Sequence, residues 1–235
     1  MVDDRFNKFL TIVIILVLIG LFIVLGFWGY DVVQKYYIKT GAEGAVEEFD
    51  QKILELDLNT VNENTNTNTV SSNEENEIAQ NVTTNSSKSK SSLGAKTSTV
   101  QMKYKGFDVA GKIEIPKTKI KYPILTVATV SSMKVSIGIV YGPGPNKVGN
   151  TVLMGHNYRN GALFSNNKKL EVGDVVYITD LTGQRLKYVI YNKYVTTSTD
   201  FDYATRDTEG RREITMESCT DDSKERLILY AKEET

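Results

Sequence analysis

Cysteine and histidine are nearly missing from this chain of 235 residues, which has one of each, Cys219 and His156. A single thiol cannot form an intramolecular disulfide, so no disulfide framework holds the fold together. Two such residues are also too few for the usual structural zinc site, which takes about four cysteine or histidine ligands. A cysteine and a histidine can still act together, as a thiolate nucleophile and its imidazole partner. The alternative is that the two residues have unrelated roles.

The chain also lacks a large net charge of either sign. The chain has 28 basic and 29 acidic side chains, which gives a formal net charge of -1. Proteins that bind nucleic acids normally present a strongly basic face. The balance of charges therefore argues against a nucleic-acid partner.

The longest uncharged segment is an apolar run over residues 9–30, with the sequence FLTIVIILVLIGLFIVLGFWGY. About 20 apolar residues are enough for a helix to cross a bilayer core. Trp28 and Tyr30 lie at its end, where aromatic rings favour the membrane interface. A cleaved signal peptide usually has a shorter apolar region followed by small residues, and no A-x-A pattern follows this run. We therefore expect an uncleaved anchor that crosses the cell membrane once.

Three segments follow the expected membrane anchor. Apolar residues recur at three- and four-residue spacing, which predicts a juxtamembrane helix over residues 31–58. Residues 59–99 are rich in Asn, Thr and Ser and poor in large apolar side chains, which predicts a flexible, disordered linker. Residues 100–235 are long enough for one domain with a core. The charges on either side of the apolar run hardly favour one orientation of the anchor in the membrane. The long polar part of the chain that follows the run favours residues 1–8 in the cytoplasm and the domain outside.

Strand signals dominate the last segment. Alternating apolar and polar residues mark strands near residues 111–116, 174–179, 185–191, 212–216 and 226–230. Thr182-Gly183 separates two of these runs and predicts a hairpin. Many short strands and few helical windows predict a mainly β fold, either an antiparallel barrel or a sandwich.

Cys219 and His156 both lie where a predicted strand ends. Cys219 ends the segment Thr215-Met216-Glu217-Ser218-Cys219, and His156 follows shortly after the apolar run 151–154. Arg226 opens the next strand, and a hairpin between the two strands would bring its guanidinium back near the thiol. Cationic neighbours favour the thiolate of a cysteine, which is its nucleophilic form.

Each of these residues also has an ordinary structural interpretation. A lone cysteine is most often a small buried apolar residue, and a lone histidine is more often a loop residue than a catalyst. Arginines that open strands are commonly exposed, and Arg226 has rivals in Arg206, Arg211 and Arg212. Spacing alone leaves both interpretations open.

The order of these motifs resembles that of the sortases, the membrane-anchored cysteine transpeptidases of Gram-positive bacteria. Residues 111–116 and Tyr122-Pro123-Ile124-Leu125 are similar to the first strands of the family, and residues 149–157 (GNTVLMGHN) are similar to its histidine motif. Residues 215–219 (TMESC) match its T-L-x-T-C motif with Met for Leu and Ser for Thr. Arg226 lies where the family has its arginine.

This resemblance covers residues 111–231 and implies a closed eight-stranded β-barrel with short helices. It also implies a mechanism in which Cys219 attacks the scissile carbonyl of an LPXTG-like sorting signal and forms a thioester. His156 would act as general acid and then as general base. Arg226 would hydrogen-bond the substrate backbone or the developing oxyanion.

Partners follow from the same resemblance. The substrates of the family are surface proteins with a C-terminal sorting signal, and its amine acceptors are peptidoglycan precursors or pilin lysines. The chain ends at Thr235 without the second membrane span or the lid of pilin-polymerising members, so we expect it to anchor proteins to the cell wall. No cofactor or metal is expected, because nothing marks the acidic loop residues Glu171, Asp200 and Asp202 as calcium ligands.

Subclass and two other functions remain open at this point. Gly155-His156-Asn157-Tyr158 with Gly161-Ala162-Leu163-Phe164 resembles class B, whereas residues 196–211 are short for the helix-bearing insertion of that class, and class D stays open. A hydrolytic cysteine peptidase could use the same residues with water as acceptor. A non-enzymatic, membrane-anchored β-domain could instead bind a surface partner with Cys219 buried and inert.

Overall fold

The computed structural model describes residues 4–66 and 99–234. Within them, the chain forms the helices α1 (Asp4–Asn66) and α2 (Asp202–Thr205). The strands are β1 (Lys103–Tyr104), β2 (Phe107–Ile115), β3 (Ile120–Leu125), β4 (Ile137–Tyr141), β5 (Gly149–Met154), β6 (Val175–Asp180), β7 (Arg185–Thr197), β8 (Arg212–Cys219) and β9 (Glu225–Glu233). Short 3-10 turns cover Pro116–Thr118, Ser132–Lys134 and Asn167–Lys169.

Strands β2 to β9 form a closed barrel, which confirms the eight-stranded barrel that the resemblance implies. Their order is β2-β3-β4-β5-β8-β9-β7-β6, and β6 pairs back onto β2. Gly111 of β2 lies at this closure, where a Cβ atom would collide with the carbonyl oxygen of Thr179 on β6. The predicted hairpin through Thr182-Gly183 is present as the antiparallel pair β6 and β7. The short strand β1 pairs with β2 outside the ring.

Two pairings in the barrel are parallel, and the alternating sequence pattern does not reveal them. Strand β3 runs parallel to β4, and β5 runs parallel to β8. A parallel pair needs a long crossover rather than a tight turn. The crossover from β5 to β8 contains the hairpin of β6 and β7. Because β5 and β8 run parallel, both strands end at the same end of the barrel.

The main core fills the barrel interior, and the period of two along β8 divides that strand into two faces. Ile214 and Met216 point inward and are at most 1% exposed. The odd-numbered residues from 213 to 219 therefore lie on the outer face of the barrel. Cys219 is among them.

Helix α2 lies in the connection between β7 and β8 and covers part of this outer face. Tyr203 and Ala204 are buried against Val152 of β5 and Ile228 of β9. Just after the helix, Arg206 Nη2 donates a hydrogen bond of 3.1 Å to Asn150 Oδ1 on β5. The connection is thus fixed to the strands beneath it.

Helix α1 is continuous through the predicted membrane anchor 9–30 and the predicted juxtamembrane helix 31–58. It is long and apolar enough to span a membrane, and its most apolar stretch is not buried against the rest of the chain. Its later part packs onto the barrel, where Phe49 is fully buried in a second core cluster with Val109 and Leu125. Part of the anchor helix therefore belongs to the folded body.

The predicted flexible linker at residues 59–99 is described only at its two ends. Residues 59–66 continue α1, and residue 99 leads toward β1. Residues 67–98 lie outside the described residues, as do residues 1–3 of the predicted cytoplasmic segment. The domain boundaries expected from composition therefore stay predictions.

Candidate active site

The hairpin of β8 and β9 brings Cys219 and Arg226 together. The two residues are direct partners in the antiparallel register. Side chains of such partners point to the same face of a sheet, with Cβ atoms about 5 Å apart. The turn between them is closed by the backbone bond from Thr220 N to the Glu225 carbonyl, 3.0 Å long. The register therefore places Cys219 and Arg226 opposite each other, with both side chains on the outer face.

His156 is brought to the same end of the barrel by the parallel pairing of β5 with β8. This pairing extends to Met154, and beyond it the Gly155 amide donates a 3.2 Å hydrogen bond to the Glu217 carbonyl. Asn157 Nδ2 then donates a 3.0 Å hydrogen bond to the carbonyl of Cys219. The backbone of His156 is therefore fixed between two contacts with the end of β8.

Gly155 and Asn157 are positioning residues that the sequence pattern alone does not single out. A Cβ atom at Gly155 would lie 2.8 Å from Cδ2 of Phe164, so no larger residue fits there without a shift. Asn157 Nδ2 also donates a 3.0 Å hydrogen bond to Asp221 Oδ1. In the sequence, both residues flank the single histidine and belong to the segment 149–157 that is similar to the histidine motif of the family.

The imidazole of His156 is half-buried and lies against Tyr158, with ring centroids 5.1 Å apart. Burial lowers the pKa of His156, and the positive charge of Lys134 lowers it further. Neutral imidazole is therefore favoured in the free protein. In that form the ring can accept a proton from a neighbouring acid.

The thiol of Cys219 is free and half-buried at the wall of a cavity of about 250 Å³. The cavity is also lined by Asn157, Phe164 and Lys168. His156 and Arg226 do not line it. The thiol is thus reachable from a pocket on one side, rather than sealed in the barrel core as the inert interpretation requires.

Arg226 is held by two contacts. Its Nε lies 3.3 Å from Glu217 Oε1, and its Nη1 donates a 3.2 Å hydrogen bond to the Glu225 carbonyl. Its side chain is 23% exposed, whereas that of Glu217 is 1% exposed. The guanidinium therefore has one buried side and one side open to a ligand.

The rival arginines have other partners, far from the thiol. Arg206 and Arg211 both pair with Glu213, near the start of β8, and Arg212 pairs with Glu233 at 2.9 Å. Glu213 precedes Cys219 by six residues, about 20 Å along a strand. Among the four arginines, the register brings Arg226 to the cysteine.

The acidic loop residues of the sequence analysis do not come together. Glu171 pairs with Lys193 at 2.8 Å, while Asp200 accepts hydrogen bonds from Thr196 and the amide of Asp202. Over residues 4–66 and 99–234, no group of three or more His, Cys, Asp or Glu side chains is arranged to hold a metal ion.

A family model for the sortase domain matches residues 113–234, which is more than half of the chain. This chain belongs to the sortase family. Its resemblance to the family is thereby confirmed over residues 113–234, which include Cys219, His156 and Arg226. No curated protein matches this sortase.

Solved structures agree with the assignment. The sortase is 28% identical to a sortase D5 transpeptidase of Clostridium perfringens, with a TM-score of 0.50 over 55% of this chain and 80% of that one. It is 25% identical to sortase A of Corynebacterium diphtheriae, with a TM-score of 0.50 over 55% of this chain and 62% of that one. Sortase C1 of Streptococcus suis, 24% identical with a TM-score of 0.50 over 54% of this chain and 73% of that one, shares the fold.

Family and fold together identify this sortase as a cysteine transpeptidase. The similar structures carry the class labels A, C and D, so they do not select a subclass. The stretch 196–211, which from the sequence alone is short for a class B insertion, contains the end of β7 and the four-residue helix α2.

Proposed function

We propose that this sortase cleaves an LPXTG-like sorting signal through a thioester on Cys219 and transfers the acyl group to an amine, anchoring surface proteins to the cell wall. The observation that carries the proposal is the pairing of Cys219 with Arg226 at the end of the barrel where His156 follows β5. Cys219 and His156 are the chain's only thiol and its only imidazole.

The first half of the reaction forms the thioester. Neutral His156 first takes the proton of the Cys219 thiol, and the resulting thiolate attacks the scissile carbonyl carbon, so that the negative charge moves to the carbonyl oxygen. Arg226 stabilises that oxyanion or the adjoining substrate backbone from its open side. The carbon–nitrogen bond then breaks, and His156 in its protonated form gives its proton to the leaving amine.

The second half transfers the acyl group. The amine of a peptidoglycan precursor, or a pilin lysine, attacks the thioester carbonyl, and the neutral His156 takes the proton that the amine loses. The carbon–sulfur bond breaks and releases the thiolate of Cys219. Burial favours the neutral imidazole, which suits this second step.

The location follows from helix α1. We propose that residues 9–30 cross the cell membrane once, with residues 1–8 in the cytoplasm and the barrel outside. Support comes from the apolar stretch of α1, which is long enough to span a membrane and is not buried against the rest of the chain. Lys35, five residues beyond the apolar run, lies close to Gly161 in the loop that follows His156. The end of the barrel that carries the site would then lie close to the membrane surface.

The test is product partition with an added amine. The full-length sortase in detergent micelles is incubated with an LPXTG-type peptide, with and without a diaminopimelate-type amine or a glycine peptide, and products are separated by mass spectrometry. We expect the ligated product to replace the hydrolysed one as the amine concentration rises, and Cys219→Ala to yield neither product. Hydrolysis that never shifts toward ligation would assign a peptidase instead.

A further inference from the structure

A buried carboxylate lies beside the proposed catalytic residues, and the mechanism above does not use it. Glu217 is the third residue of the TMESC segment and lies two positions before Cys219 on the same face of β8. Its side chain is 1% exposed. A buried carboxylate is costly unless it is paired and hydrogen-bonded, so its partners indicate what it does.

Those partners are Arg226 and Tyr203. Oε1 of Glu217 lies 3.3 Å from Arg226 Nε, and Tyr203 of helix α2 lies close to the carboxylate. Within the described residues, neither Glu217 Oε2 nor the Tyr203 hydroxyl makes a hydrogen bond of regular geometry. The pair with Arg226 is therefore the main compensation for burying this charge.

The arrangement leaves part of the guanidinium unused. An arginine has five N–H donors in a rigid plane. Glu217 binds the Nε donor and the Glu225 carbonyl binds one donor of Nη1. Since both contacts come from the protein, the plane is fixed while its remaining donors stay available to a substrate oxygen.

We propose that Glu217 is a positioning residue, which holds the guanidinium of Arg226 in the orientation that binds the substrate backbone or oxyanion beside Cys219. The inference rests on the proposed role of Arg226. Tyr203 lies beside the carboxylate, and burial of Glu217 strengthens the attraction between the two charges.

Glu213 provides a matched comparison on the same strand and the same face. It is 1% exposed and pairs with Arg206 and Arg211, and Tyr191 donates a 2.6 Å hydrogen bond to it. Burial raises its pKa, but the hydrogen bonds of these three residues outweigh burial and lower it overall. Burial dominates for Glu217, whose pKa is raised. Glu213 is thus a buried carboxylate whose hydrogen-bond partners compensate for its burial. It lies about 13 Å along the strand from Glu217.

The experiment is a double-mutant cycle on the full-length sortase in micelles. Glu217→Gln, Arg226→Lys and their combination are compared with Glu213→Gln by kcat, KM and melting temperature. We expect Glu217→Gln to lower kcat about tenfold and to change KM little. A tenfold loss corresponds to one lost charge-assisted contact. Arg226→Lys already loses the planar guanidinium with its forked donors. Adding Glu217→Gln to that variant should therefore lower kcat by less than a further twofold. Glu213→Gln should lower the melting temperature and leave kcat unchanged.

A second measurement does not depend on turnover. The Nε–H signal of Arg226 in a ¹⁵N NMR spectrum is identified by its loss in Arg226→Lys, and its hydrogen exchange is compared between wild type and Glu217→Gln. We expect exchange about tenfold faster in the variant.

If wild type forms no thioester, the proposed function fails, and the exchange rate still tests the contact between Glu217 and Arg226. An unchanged exchange rate, an unchanged kcat in Glu217→Gln, or an equal loss of kcat in the Arg226→Lys background would overturn the proposal.

Discussion

The chemistry of a single side chain here depends on the residue opposite it on the neighbouring strand. Cys219 pairs with Arg226 across β8 and β9, and the end of β8 is bonded to the residues on both sides of His156. The cysteine–arginine pair could be predicted from spacing, because a separation of seven positions suits two strands joined by a short hairpin. The role of Asn157 could not, because its two hydrogen bonds reach residues more than 60 positions away.

His156 offers a direct test of its environment because it is the only histidine in the chain. Burial and then the charge of Lys134 lower its pKa from the ordinary 6.5. We expect the imidazole signal in NMR to titrate with a midpoint below 6.5, so the protonated fraction is already small at neutral pH. Lys134→Gln removes a positive charge and should raise the midpoint, whereas Lys103→Gln, on β1, should not. A wild-type midpoint at or above 6.5 would contradict the environment described.

At the scale of elements, local patterns were enough for some pairings and not for others. The hairpins β6–β7 and β8–β9 follow from alternation and turn residues. The parallel pairing of β5 with β8, which places His156, depends on a long crossover that no local pattern encodes. The packing of α1 on the barrel is likewise a long-range contact. Its apolar spacing predicts a helix and an apolar face, but not the surface that this face covers.

Helix α1 gives an element-scale prediction. Phe49 is fully buried between the helix and the barrel, whereas Leu54, five residues further on, is 59% exposed. Phe49→Ala should lower the free energy of unfolding by about 3–5 kcal/mol, because it removes a large buried side chain and leaves a cavity. Leu54→Ala is the control and should change it by less than about 0.5 kcal/mol. Thermal unfolding of the full chain followed by circular dichroism measures both, and equal melting temperatures would show that α1 does not pack on the barrel.

At the scale of the whole molecule, one continuous helix joins the proposed membrane anchor to the catalytic barrel. The barrel is packed against residues 42–49 of α1, a short distance beyond the apolar run. If the apolar run crosses the membrane as proposed, this packing holds the barrel near the membrane surface. Composition predicts the anchor and the barrel separately; the packing between them, which sets this distance, emerges only from the structure.

The central claim is that Cys219 forms an acyl-enzyme with a sorting signal. The most direct measurement is the intact mass of the full-length sortase after incubation with LPXTG-type peptides and no added amine. The account predicts a mass increase equal to the acyl part of the peptide, located on Cys219, reversed by hydroxylamine and missing in Cys219→Ala. Peptide cleavage by wild type without an adduct on Cys219, or with equal cleavage in Cys219→Ala, would contradict it.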